Sequence, residues 1–146
     1  MISIICIEQS LPKFFRKNNL KKFSSAIVKE ELKVLGDLSF VFASDNYLLD
    51  LNKQFLEHDY YTDVITFDYS IKGTISGDVV ISLDRVKDNA DRLGAPLKQE
   101  LHRVCFHGLL HLCGYKDKSQ KDIKTMRAKE DYYLNKFVSR ETNEDN

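Results

Sequence analysis

The stretch Leu97-Lys98-Gln99-Glu100-Leu101-His102-Arg103-Val104-Cys105-Phe106-His107-Gly108-Leu109-Leu110-His111-Leu112-Cys113-Gly114-Tyr115-Lys116-Asp117 governs how the rest of the chain is read. Stepped at about 100° per residue from Leu97, it gathers Leu101, Val104, Cys105, Gly108 and Leu112 into one stripe, which predicts a helix packed on a neighbouring layer. Pro96 suits its N1 position and Gly114 its left-handed stop. His107 and His111 fall together at about 280° and 320°, on the edge of the stripe, whereas His102 falls at about 140°. Imidazoles at i and i+4 lie about 5–6 Å apart at Cβ and can present nitrogens to one metal ion. Gly108 allows another backbone to approach the packed face, and the reversal at Gly114 returns Asp117 toward the histidines. His107, His111 and Asp117 therefore form a candidate ligand set, expected to hold one Zn2+ ion per chain. Two histidines and a carboxylate leave a fourth position for water, the pattern of catalytic zinc. Asp117 has a second reading, because Asp117-Lys118-Ser119-Gln120 also fits a helix N-cap with its N3 partner. Cys105 and Cys113 read as packed thiols, and His58 and His102 as ordinary polar side chains, with His58 in a loop that could reach the site.

Outward from this helix, strand and helix signals alternate. Ile2–Glu8 reads as a strand buried on both faces. A helix is expected within Asn19–Val34, with Phe23, Ile27, Leu32 and Leu35 on its apolar side and Gly36 as its stop. Leu38–Phe42 is a second strand. Ser44 or Asp45 can cap a helix whose stripe is Leu48, Leu49, Leu51, Phe55 and Leu56. Val64–Phe67 and Asp78–Ile81 are β-branched strands, with Gly73 and Gly77 in the turn between them. Ser82 caps a helix that runs to Gly94, and a last helix covers about Ser119–Val138, with Ile123, Met126, Tyr133, Leu134 and Phe137 on its apolar side. The order β-α-β-α-β-β-α-α-α predicts an α+β domain over residues 1–140, a small mixed four-stranded sheet with about five helices, followed by a polar tail at 141–146.

Composition agrees with a packed globule. The 146 residues are 42% hydrophobic and 30% charged, with Gly 6 and Pro 2, which excludes disordered and collagen-like chains. No apolar run reaches the roughly 18 residues of a membrane span, and the start of the chain reads as a strand, not a signal peptide. Three cysteines without a CxxC point to a reduced, cytoplasmic setting. The 22 basic and 22 acidic side chains cancel, but they are unevenly spread. Residues 11–35 hold seven basic and two acidic side chains, 36–84 two and nine, and 85–129 eleven and five. The basic blocks could face an anionic polymer or simply be solvated helix surface.

The run Val104–Asp117 resembles the signature of the YbeY family of bacterial endoribonucleases and ribosomal RNA maturation factors. Further matches follow in order: Leu51-Asn52, Thr62-Asp63-Val64-Ile65-Thr66-Phe67, Gly77-Asp78-Val79-Val80-Ile81-Ser82, and Met126 with Glu130. The likeness extends from about Leu38 to Leu134. It implies an α+β domain, a zinc held by three side chains, single-strand-specific RNA cleavage, and action on ribosomal RNA ends and defective ribosomes. Implied partners are single-stranded or ribosomal RNA and the ribosome or its proteins, for a cytoplasmic monomer that engages neither DNA nor membrane. The chain departs from that pattern twice. Asp117 stands where the family has a histidine, adding negative charge that lowers the Lewis acidity felt by bound water. Leu56 stands where the family commonly has an arginine that could steady a phosphate.

Two other functions fit parts of the pattern. The frame from His107 to Asp117 is also that of metzincin proteases, but those need a glutamate directly after the first histidine, where Gly108 stands. A non-catalytic ribosome-associated factor with a structural metal would need no open coordination position. Metal-assisted phosphodiester hydrolysis is the expected chemistry, with Arg103 and Lys116 as candidates to position phosphates.

Overall fold

Alternating apolar residues in the strands sort the side chains onto two faces of one sheet. The computed structural model describes residues 1–139, so the tail expected at 141–146 lies outside the described residues. Its elements are β1 (Ile2–Cys6), α1 (Lys17–Glu30), β2 (Val34–Ala43), α2 (Asp45–Phe55), β3 (Val64–Asp68), β4 (Thr74–Ser82), α3 (Leu83–Leu93), α4 (Leu97–Leu112), α5 (Gln120–Tyr133) and a π-helical turn at Leu134–Val138. The strand order is β1-β2-β4-β3. β1 runs parallel to β2 and β2 to β4, while β3 pairs antiparallel with β4. The α+β reading and the mixed four-stranded sheet are thus the observed architecture.

One sheet face carries Leu38, Phe40 and Phe42 of β2 with Ile75, Val79 and Ile81 of β4, packed with α1, α3, α4 and α5 into the main core. The other face carries Val41, Ala43, Ile65, Phe67 and Val80, covered by α2 through Leu48 and Leu51. α4 lies centrally in the main core, with Leu101, Cys105, Phe106, Leu109 and Leu110 fully buried. His102 is buried as well, against the rings of Phe15, Phe23 and Phe106, with its Nδ1 2.7 Å from the Lys98 carbonyl. It is a core histidine, not a surface polar group.

Several expected boundaries move for local physical reasons. β1 is an edge strand, so Ile5 is 45% exposed where burial on both faces was expected. α1 stops at Glu30, well before Gly36. The amides of Leu32 and Lys33 bond the carbonyls of Lys29 and Val28, a Schellman closure with Leu32 in the left-handed region at φ 60. Gly36 and Gly77 both lie inside strands, and the turn is made by Lys72 at φ 46 and Gly73 at φ 83, both left-handed. On α2 only Leu48 and Asn52 are buried; Phe55 is exposed, and Leu56 caps the helix at its end. Pro96 is the N-cap of α4 and not its N1 residue, and Ile123 of α5 is exposed. Ser44, Ser82 and Ser119 cap their helices as hydroxyl acceptors of the amides of Tyr47, Arg85 and Asp122.

Gly108 sets how closely α4 approaches the sheet. A Cβ at this position would lie 2.4 Å from Val79 Cγ1 and 3.4 Å from Thr66 Cγ2. Val79 is fully buried, so there is no space into which it can move. We predict that Gly108→Ala destabilises the fold by about 1–3 kcal/mol, read as a lowered urea midpoint. Combining it with Val79→Ala should be less destabilising than the two single effects added together.

Candidate metal centre

The last two turns of α4 place His107 and His111 side by side, their ring centroids 4.6 Å apart and nearly perpendicular. The helix then closes in a Schellman motif. The Gly114 amide bonds the His111 carbonyl, the Tyr115 amide bonds the Leu110 carbonyl, and Gly114 sits at φ 108. This reversal points the Tyr115 carbonyl back at His111, whose Nδ1 donates to it at 2.9 Å. It also returns Asp117, whose Oδ2 lies 3.3 Å from His107 Nε2 and 3.2 Å from His111 Nε2. The two Nε2 atoms are 3.0 Å apart. Asp117 therefore faces the histidines, and Ser119, not Asp117, caps α5.

Proton accounting shows what this cluster requires. A carbonyl and an ionised carboxylate can only accept, so each Nδ1 must carry its proton: His111 for Tyr115 O, and His107 for Glu130 Oε2 at 2.6 Å. In neutral imidazoles that leaves both Nε2 atoms as bare lone pairs, aimed at each other and at a carboxylate oxygen. Three acceptors at 3.0–3.3 Å with no proton between them repel unless a cation sits among them. Zinc–nitrogen bonds of about 2.0–2.1 Å in a tetrahedron set ligand–ligand edges of about 3.3–3.4 Å, close to the observed triangle. His107, His111 and Asp117 thus fit a metal ion in donor type, tautomer and spacing.

A second layer holds the donors. Burial alone would raise the Glu130 carboxyl, but hydrogen bonds from His107 and Arg103 outweigh it and keep the group below its ordinary value. Arg103 binds Glu130 Oε1 at 2.9 Å through Nη1 and Asp131 Oδ1 at 2.7 Å through Nη2, and its side chain is only 13% exposed. Its guanidinium is engaged by these two carboxylates at the cleft wall. Burial opposes a charge on His107, yet Glu130 and Asp117 outweigh that and raise its pKa. Without a metal, His107 is thus a ready proton acceptor, and proton and metal compete for one lone pair. The cysteines are packed thiols: burial pushes Cys113 up to about 12 and Cys105 higher still.

The donors open onto a cleft of about 360 Å³, lined by Asp63, Glu100, Arg103, His107, Asp117 and Glu130 among others. Asp63 precedes β3, where its carbonyl accepts from the Ser82 amide and its Oδ2 from Asn89 Nδ2 at 3.3 Å. Burial raises the Asp63 carboxyl, as it does that of Glu100, the property expected of groups that exchange protons in a site. Neither role was legible in the sequence, since no local spacing links Asp63 to His107. His58 does not reach the cleft; it stacks on Tyr60, with Nδ1 2.9 Å from the Tyr60 hydroxyl. Leu56 is likewise outside the cleft lining.

The family model described as Endoribonuclease YbeY matches residues 5–138. The chain belongs to the YbeY family. Among its relatives, the Endoribonuclease YbeY of Cytophaga hutchinsonii is 52% identical over 120 residues, 82% of this chain and 84% of that protein. That of Porphyromonas gingivalis is 48% identical over 125 residues, covering 86% and 82%. The solution structure of TM1509 from Thermotoga maritima is similar at a TM-score of 0.66 and 27% identity, covering 96% of this chain and 93% of the other. Among the described residues, no helix is long and apolar enough to cross a membrane.

In this YbeY-family chain, the loop that returns Asp117 is tied to a distant residue. Glu31, the C-cap of α1, accepts from the Tyr115 hydroxyl at 2.5 Å, from Lys129 Nζ at 3.1 Å and from the Tyr133 hydroxyl. One carboxylate therefore joins α1, the loop after α4 and α5. Burial raises the Glu31 carboxyl, but these donors together outweigh it and hold the pKa below its ordinary 4.5. A carboxyl lowered on folding stabilises the protein above its unfolded pKa, and that contribution is lost as pH falls through the folded value. Relative to Glu31→Gln, the wild type should gain about 1–3 kcal/mol near neutrality in urea unfolding. The difference should shrink as pH falls below the unfolded value and vanish once pH has passed below the folded one.

Proposed function

We propose that the chain is a zinc-dependent endoribonuclease that cleaves single-stranded RNA in ribosomal RNA maturation and ribosome quality control. It would act as a cytoplasmic monomer alongside the ribosome, bind neither DNA nor membrane, and occupy one domain over residues 1–140. Membership of an endoribonuclease family supports RNA cleavage. The observation that supports the metal is the meeting of His107 Nε2, His111 Nε2 and Asp117 Oδ2 within 3.0–3.3 Å of one another beside a cleft.

A zinc ion held by these three residues would supply Lewis acidity toward a phosphoryl oxygen and toward water. The remaining work falls to the chain. Glu130 and the Tyr115 carbonyl hold the Nδ1 protons, so each imidazole keeps its Nε2 lone pair pointed inward. Arg103 offsets the charge of Glu130, which would otherwise add to that of Asp117. Asp63, in the cleft wall and raised by burial, would serve to accept a proton from the attacking water and return it to the leaving oxygen. Asp117, with its side chain 42% exposed, faces solvent at the cleft mouth, where a flexible strand can enter.

The test is cleavage of a single-stranded RNA by purified protein with and without chelator, beside His107→Ala and His111→Ala. Cleavage should stop on chelation, return with added zinc, and fall at least about 100-fold in either variant. Undiminished cleavage after complete metal removal would overturn metal dependence. A zinc-loaded wild type that binds ribosomal RNA but never cuts it would make the metal structural.

A further inference from the structure

The cleft, where Arg103 already engages Glu130 and Asp131, leaves open how a strand is held on either side of the cut. We infer that the outward face of α5 is a track for the backbone of single-stranded RNA, running from the cleft mouth past Lys121 and Lys124 to Tyr132. This proposal rests on the RNA-cleavage reading above and adds the binding surface.

Three depressions join along this face. Ile123 and Arg127 line both the cleft and a neighbouring hollow of about 690 Å³. Lys124 and Ala128 line both that hollow and a further one of about 790 Å³, which reaches Lys129 and Tyr132. A strand leaving the metal centre thus meets adjoining shallow hollows on an open surface. From Lys121 to Tyr132 this surface follows the helix for about 16 Å.

Charge along this face is one-sided. Lys116, Lys118, Lys121 and Lys124 are exposed and form no ion pair among the described residues. Lys116 and Lys118 flank Asp117, while Lys121, Lys124 and Arg127 recur every three residues down one side of α5. The carboxylates along the path have cation partners: Glu130 and Asp131 share Arg103, Glu130 also takes Arg127 at 3.5 Å, and Glu30 pairs with Lys136. Among the described residues this leaves Lys121 and Lys124 unmatched on this face. Their uncompensated charge therefore lies along a face that ends on Tyr132, which is 48% exposed and carries Lys136 Nζ 5.6 Å from its ring centroid. A cationic groove with an accessible ring is how single strands are bound without sequence preference, phosphates on the cations and a base on the ring. An acidic protein would use the cations but has no base to stack on the ring.

The test is fluorescence anisotropy of the full chain with a labelled single-stranded RNA of about 12 nucleotides, across about 50 to 200 mM salt. Lys121→Ala/Lys124→Ala should lower the log–log salt slope by about 1.4, at about 0.7 per lost phosphate contact. Tyr132→Ala should weaken binding about fivefold or more with the slope unchanged. Neither variant should alter zinc content or the cleavage rate of an RNA too short to leave the cleft. A wild-type slope in the lysine variant would overturn the track, and unchanged affinity in Tyr132→Ala would remove the ring from it. Equal loss of affinity for an acidic polypeptide in both variants would make the face a protein-docking surface instead. A wild type that binds with the full slope yet cleaves nothing would defeat the proposed reaction and leave the track standing.

Discussion

Two imidazole nitrogens and a carboxylate oxygen meet within 3.0–3.3 Å of one another, and each imidazole has already spent its only proton on an acceptor behind it. The repulsion among three lone pairs is the constraint from which the rest of the site follows. A proton on one histidine relieves part of it, whereas a divalent cation relieves all three pairs at once. Glu130 and the Tyr115 carbonyl are therefore as necessary as the donors themselves, since they decide which nitrogen is bare.

The fold serves this cluster through contacts far apart in sequence. Gly108 lets α4 sit against Val79 of β4, which fixes the helix bearing both histidines. The closure at Gly114 turns the chain by backbone hydrogen bonds alone, and Glu31 pins Tyr115 at the start of the returning loop. α5 then contributes Glu130 from below the histidines and Arg103's second partner, Asp131. The ligands come from one helix and the loop after it, but their orientation depends on α1, β4 and α5 together.

What could be read from the sequence was the part governed by local spacing. The i, i+4 histidines, the stop at Gly114 and the cap at Ser82 are short-range features, and the strands showed their β-branched runs. Asp117 stayed ambiguous between ligand and cap because both uses place an Asp near a helix start; Ser119, two residues on, takes the cap. The hub at Glu31 was invisible because its partners lie 84 to 102 residues away. The end of α1 was misplaced for the same reason: a leucine in a left-handed conformation stops the helix, held beside that hub, and no glycine marks it. Nothing local reveals Glu130 and Asp131 folding onto Arg103.

Asp117 is where the account is most exposed, being the one of the three candidate donors outside the helix. Zinc affinity by competition with a chromophoric chelator, for wild type, Asp117→Asn and Asp117→His, tests it directly. Because Ser119 caps α5 in every case, neither substitution disturbs the helix start. The account predicts weaker zinc binding in Asp117→Asn, whose neutral amide is a poor ligand, and retained or tighter binding in Asp117→His, whose imidazole suits zinc. Equal affinity in wild type and Asp117→Asn would contradict it and leave a two-histidine anchor in place of a three-donor centre.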